Sequence, residues 1–81
     1  MVNLDELRIQ IQNIDETILR LLEQRTALVR AVGEYKQDHN LPIYVPEVER
    51  KKIAKLSAEC RYPGLVETIW PVIMCYARSM E

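Results

Sequence analysis

From Leu4 to Tyr35 the chain advances in steps of three and four residues without losing phase. Leu4, Leu7, Ile11, Ile14, Ile18, Leu21, Leu28, Val32 and Tyr35 all fall on the count, and the one position on it that is not apolar is Arg25. This spacing marks one face of an α-helix. Asn3 stands where an N-cap belongs, and Glu6 three residues later completes a capping box. Glu16 and Arg20, four apart, are placed to pair on the solvent side. The pattern stops near Asn40, before Leu41-Pro42. A helix of about 36 residues is ~54 Å long. A compact domain of this chain's length is only ~25 Å across. The helix therefore overhangs its own domain, and its apolar seam needs cover from another chain. Helix length alone predicts a dimer.

The remainder also reads as helix, since no segment alternates with period two. Pro46 suits the first turn of a second helix running through EVERKKIAKLSAE, with Ile53 and Leu56 inward and an end near Cys60. RYPG makes a turn. A third helix runs from about Leu65 to the end, with Leu65, Ile69, Trp70, Val72, Ile73 and Tyr76 as its apolar face and Pro71 expected to kink or split it. The expected fold is all-α, with one long, one short and one medium helix in a single domain over residues 1–81.

Composition narrows the function. The net charge of −1, from 11 basic and 12 acidic residues, argues against nucleic acid as a partner. Met1 is followed by polar, acidic helix and not by an apolar leader, and no apolar run approaches the ~20 residues of a membrane span. Cys60 and Cys75 lack zinc or CxxC spacing and read as reduced thiols of a cytoplasmic protein, with Cys75 a small buried hydrophobe. His39, at the end of the long helix, has no ligand partner nearby in sequence, so no metal site is expected. Trp70, Tyr35 and Tyr76 read as core or dimer-seam residues, Tyr44 as a loop residue at the surface or over a pocket, and Lys51 and Lys52 as a solvated face.

The cations near the seam need a reason. Arg25 and Lys36 are 11 residues apart, three turns and about 20°. They point the same way, about 16 Å apart along the axis, and bracket Val32 and Gly33. A small dianion between them would touch both, and arginine's planar fork suits a carboxylate. The competing reading makes Arg25 a specificity residue that snorkels out of a coiled-coil seam. Arg8 lies about 26 Å up the helix from Arg25. It reaches the same small ligand only from a second chain whose long helix runs antiparallel.

These residues resemble the all-helical chorismate mutases over nearly the whole chain. LRIQIQNID at Leu7 to Asp15 is similar to the family's opening pattern, LLEQR ends at Arg25, a G-x-x-K step joins Gly33 to Lys36, and VPEVE at Val45 to Glu49 follows a proline-containing loop. The resemblance implies an intertwined homodimer with antiparallel long helices and no cofactor. It implies that Arg25 and Lys36 bind the carboxylates and ether region of chorismate, that Arg8 reaches across from the other chain, and that Glu49 contacts the ring hydroxyl. Glu81 falls where most members carry a glutamine that hydrogen-bonds the ether oxygen and some carry glutamate. Val32 and Ala77 line the substrate, Ala77 where serine is common. Val48 replaces the arginine of the family's Arg-Glu pair, and Val45 replaces a polar residue. Lys36, Glu81 and Arg25 are thus the expected catalytic residues for the rearrangement of chorismate to prephenate. An isochorismate pyruvate lyase, a mutase of 4-amino-4-deoxychorismate, and a non-catalytic helical dimerisation module remain alternatives on the same fold.

Overall fold

The computed structural model describes residues 3–81 and is all-helical among them. Helix α1 spans Leu4–Asp38, α2 Pro46–Glu59 and α3 Leu65–Met80. The Asn3 side chain accepts the Glu6 N–H at 2.8 Å, closing the expected cap. Helix α2 begins on Pro46 with Val45 as an N-cap that makes no side-chain hydrogen bond. Tyr62 to Leu65 form the tight turn before α3. Leu65 N–H reaches Tyr62 O at 3.3 Å, and Gly64 takes φ 84°, ψ −13°, as the third position of a type II turn after proline demands.

Helix α3 folds back between the other two and packs on both. The molecule measures 57 × 24 × 16 Å. Its radius of gyration is 16.1 Å, against about 12 Å for a compact chain of this length. Every residue from Asn3 to Gln24 is exposed, including Leu4, Leu7, Ile11, Ile14, Ile18 and Leu21. The overhang inferred from helix length is therefore present.

The core of the single chain is small. Val66 and Met74, each 4% exposed, are its buried large side chains among the described residues. This corrects the sequence reading of α3. Leu65, Ile69, Val72 and Tyr76 are exposed, while Val66, Trp70, Ile73, Met74 and Ala77 face the other helices. Helix α3 has two apolar faces roughly a third of a turn apart, and only one is covered by its own chain. The other corrections are local. Pro71 lies inside α3 without splitting it, since it removes one hydrogen bond of the ladder while the flanking turns pack on α1 and α2. Arg20 pairs with Glu23 at 2.8 Å and not with Glu16; both arrangements are solvated and close in energy. Cys75 is exposed, on the uncovered side of α3, and both cysteines are free thiols. Tyr35 and Tyr76 are exposed and so are not core residues of this chain. His39 is exposed, as its place at the end of the long helix suggests, and stacks on Tyr35 with ring centroids 3.9 Å apart.

Candidate active site

The end of α1 fixes Lys36. Asn40 takes a left-handed conformation at φ 55°, which asparagine tolerates better than most residues. Leu41 N–H then bonds Lys36 O at 2.8 Å and Asn40 N–H bonds Gln37 O at 3.4 Å, the two bonds of a Schellman cap. The chain doubles back through Pro42, and the Ile43 carbonyl accepts a hydrogen bond from Lys36 Nζ at 2.9 Å. The ammonium also meets Glu81 Oε1 at 2.9 Å. Lys36 is thus held from the loop on one side and from the end of α3 on the other.

Gly33 makes that second contact possible. It is buried one turn before Lys36. A Cβ at this position would stand 2.8 Å from Glu81 Cα, 3.1 Å from Glu81 O and 3.2 Å from Glu81 Cβ. Only a residue without a side chain lets the end of α3 lie this close to α1. The result is a Glu81 side chain only 7% exposed and aligned on Lys36.

A second ion pair joins α2 to α3. Arg78 Nη1 donates to Glu49 Oε1 at 2.6 Å and to Oε2 at 2.5 Å. The guanidinium carbon lies 4.4 Å above the centre of the Tyr44 ring, a cation–π distance. The Glu49 hydrogen bond, opposed by partial burial, raises the Arg78 pKa above its ordinary value. Arginine is already charged throughout the working pH range, so Arg78 is a permanent cation.

These groups surround one cavity of 330 Å³ between the three helices, near the lower end of the ~300–1,000 Å³ usual for small-molecule sites. Arg25, Val32, Lys36, Glu49, Ala77 and Glu81, all singled out in the sequence, line it together. Arg8 does not; it is exposed on the overhanging half of α1. The walls also include Val29, Ile43, Val45, Val48 and Met74, so the polar groups are set in an apolar frame. Four cations, Arg25, Lys36, Lys52 and Arg78, face two carboxylates, Glu49 and Glu81. Two positive charges are left over in a chain whose net charge is −1. No carboxylate among the described residues pairs with Arg25. The arrangement therefore suits a small dianion with an apolar body. A larger groove of 580 Å³ between α1 and α3 is lined mainly by Leu19, Leu22, Val72, Ile73, Tyr76 and Met80 and shares Arg25 and Ala77 with the cavity. Glu23, Thr26 and Arg30 also edge it.

Two charged residues of the cavity escaped the sequence reading. Lys52, assigned there to a solvated face, edges the cavity while remaining exposed. The spacing Val45, Val48, Glu49, Lys52 puts it on Glu49's side of α2. Arg78 precedes Glu81 by three residues and follows buried Met74 by four, which places all three on adjoining parts of one helix face.

Comparison with known proteins points to one family. The family "Chorismate mutase type II" matches residues 7–81. Over 62 residues, 73% of the chain, it is 52% identical to the bifunctional chorismate mutase/prephenate dehydratase of Aquifex aeolicus, of which the match covers 17%. It is 38% identical over its whole length to the T-protein of Enterobacter agglomerans, 23% of which is covered. It is 33% identical to the chorismate mutase of Methanocaldococcus jannaschii, the match taking in 82% of this chain and 67% of that one. The chain thus spans about a fifth of the first two relatives. With the match running from the first turns of α1 to Glu81, the chain belongs to the chorismate mutase type II family.

Proposed function

We propose that residues 1–81 form a chorismate mutase domain that converts chorismate to prephenate as a cytoplasmic homodimer with two composite sites. The observation that carries this reading is the convergence of Arg25, Val32, Lys36, Glu49, Ala77 and Glu81 on one cavity with two uncompensated positive charges. The absence of a membrane-crossing helix among the described residues agrees with it.

The reaction breaks one C–O ether bond and forms one C–C bond within the same molecule. It requires no nucleophile, metal or cofactor. The protein selects a compact chair-like conformer, an orientation effect, and meets the negative charge that grows on the ether oxygen with donors already in place. Arg25 clamps one substrate carboxylate. Arg8 of a second copy, brought in by an antiparallel long helix, closes over the substrate. Lys36, pre-set by the Ile43 carbonyl, donates toward the ether region. Glu49 accepts from the ring hydroxyl, and Val32 and Ala77 shape the apolar wall. Glu81, beside Lys36 at the end of α3, faces the ether region.

Dimerisation explains the exposed half of α1, the second apolar face of α3 and the apolar groove between them. The test is turnover by the purified chain with chorismate, followed by identification of the product. Prephenate is the expected result. Pyruvate release from isochorismate, or turnover confined to the 4-amino-4-deoxy analogue, would move the assignment to those activities. A stable dimer inert toward all three substrates would make the chain a dimerisation module.

A further inference from the structure

Arg78 is a cation of the cavity that is fixed in place and only partly used. Its Nη1 is committed to the two oxygens of Glu49, and its face rests on Tyr44. A guanidinium carries five N–H donors. No acceptor for its Nε or Nη2 is found among the described residues. The side chain keeps 31% of its surface open and lines the cavity from α3, while Arg25 and Lys36 line it from α1. An arginine already immobilised by a carboxylate and an aromatic ring loses little freedom when it takes a second anion. Without Arg78, Glu49 would stand as an unneutralised carboxylate in a cavity shaped for a dianion, and the surplus there would fall from two positive charges to one.

We propose that Arg78 is a substrate-binding residue of this site. The free edge of its guanidinium takes a carboxylate of the dicarboxylate substrate, while Nη1 holds Glu49 at the position where it accepts the ring hydroxyl. The proposal rests on the mutase reading and adds to it a recognition group that α3 contributes in cis. The bland alternative is that the pair only ties α2 to α3.

The two roles separate in a double-mutant cycle. For direct binding, Arg78→Met should raise KM for chorismate by about tenfold to a hundredfold, with a much smaller change in kcat, because a charge-assisted bond is lost. The rise should persist when Glu49 is already Gln, since the substrate carboxylate is still left without its partner. Arg78→Lys, which keeps the charge and loses the fork, should give a smaller but clear rise; it also serves as the deciding variant if Arg78→Met does not fold. An unchanged KM in Arg78→Lys and Arg78→Met, or an effect that vanishes in the Glu49→Gln background and appears only as a lower melting temperature, overturns the proposal and leaves a structural ion pair. Calorimetric titration with prephenate separates this outcome from failure of the mutase reading. Wild-type protein that binds prephenate in an Arg78-dependent way without turning over chorismate keeps the binding role and loses the activity. Wild-type protein that neither binds prephenate nor turns over chorismate overturns both.

Discussion

The two halves of α1 share one sequence rhythm and occupy opposite environments. Between Asn3 and Gln24 every residue is exposed. Between Arg25 and Lys36, by contrast, Arg25, Thr26, Val29, Gly33 and Lys36 are wholly or partly covered. The covered positions follow their own three- and four-residue count, displaced around the helix from Leu28, Val32 and Tyr35. Arg25 and Lys36 lie between the two counts. They are therefore cations at the edge of a groove and not intruders in an apolar stripe. The first half of α1 is left uncovered by its own chain, and the second half is divided between its own α3 and the cavity.

The largest effect should come from charging the first half. Ile14 is exposed in the single chain, so Ile14→Asp would be nearly silent if the chain worked alone. On the dimer account it buries a carboxylate in an apolar seam, which costs several kcal/mol. Sedimentation should show the species of twice 9.5 kDa lost, and activity should fall by at least about a hundredfold. An intact dimer with full activity would place the interface elsewhere.

A smaller effect is expected in the second half. Gly33→Ala puts a methyl group 2.8 Å from Glu81 Cα, where the neighbour is backbone and must shift. Overpacking of this kind costs about 1–3 kcal/mol. The dimer should survive, while kcat should drop about tenfold or more, because Lys36 and Glu81 no longer meet at their set distance. Sedimentation and steady-state kinetics on the same sample separate this outcome from that of Ile14→Asp.

The subtlest prediction concerns Glu81. If its side chain faces the ether oxygen, Glu81→Gln puts a permanent N–H donor there, so its activity near neutrality should equal or exceed that of the wild type, while Glu81→Ala should lose activity. If both variants leave the rate unchanged, Glu81 does not face the reacting bond.

The same contrast explains what could be read from the sequence. The cap at Asn3, the proline that opens α2, the turn at Gly64 and the length of α1 depend on local spacing, and all are found in the structure. The covered face of α3 was misread because that helix is apolar on two sides. Periodicity says that a residue wants cover without saying whether its own chain or another supplies it, so Leu65, Ile69, Val72 and Tyr76 were expected where Val66 and Met74 lie. Arg25 and Lys36 could be picked out because 11 residues bring them back to the same side of a helix, and Glu49 because the resemblance points to it. The bond of Arg78 to Glu49 crosses 29 residues. No local count carries such a pairing. The close approach of Gly33 to Glu81 was hidden for the same reason, since a glycine inside a helix announces only that something comes near.

The central claim is that each site joins Arg25 of one chain to Arg8 of another. Mixing two inactive variants tests it most directly. Arg8→Ala and Arg25→Ala chains should each be inactive alone. After subunit exchange, a heterodimer holds one site with both arginines and one with neither. An equal mixture should therefore recover about a quarter of wild-type specific activity, because half of the dimers are mixed and each has one working site of two. Exchange demonstrated by mass spectrometry with no recovered activity would contradict the account and place the two arginines in separate roles.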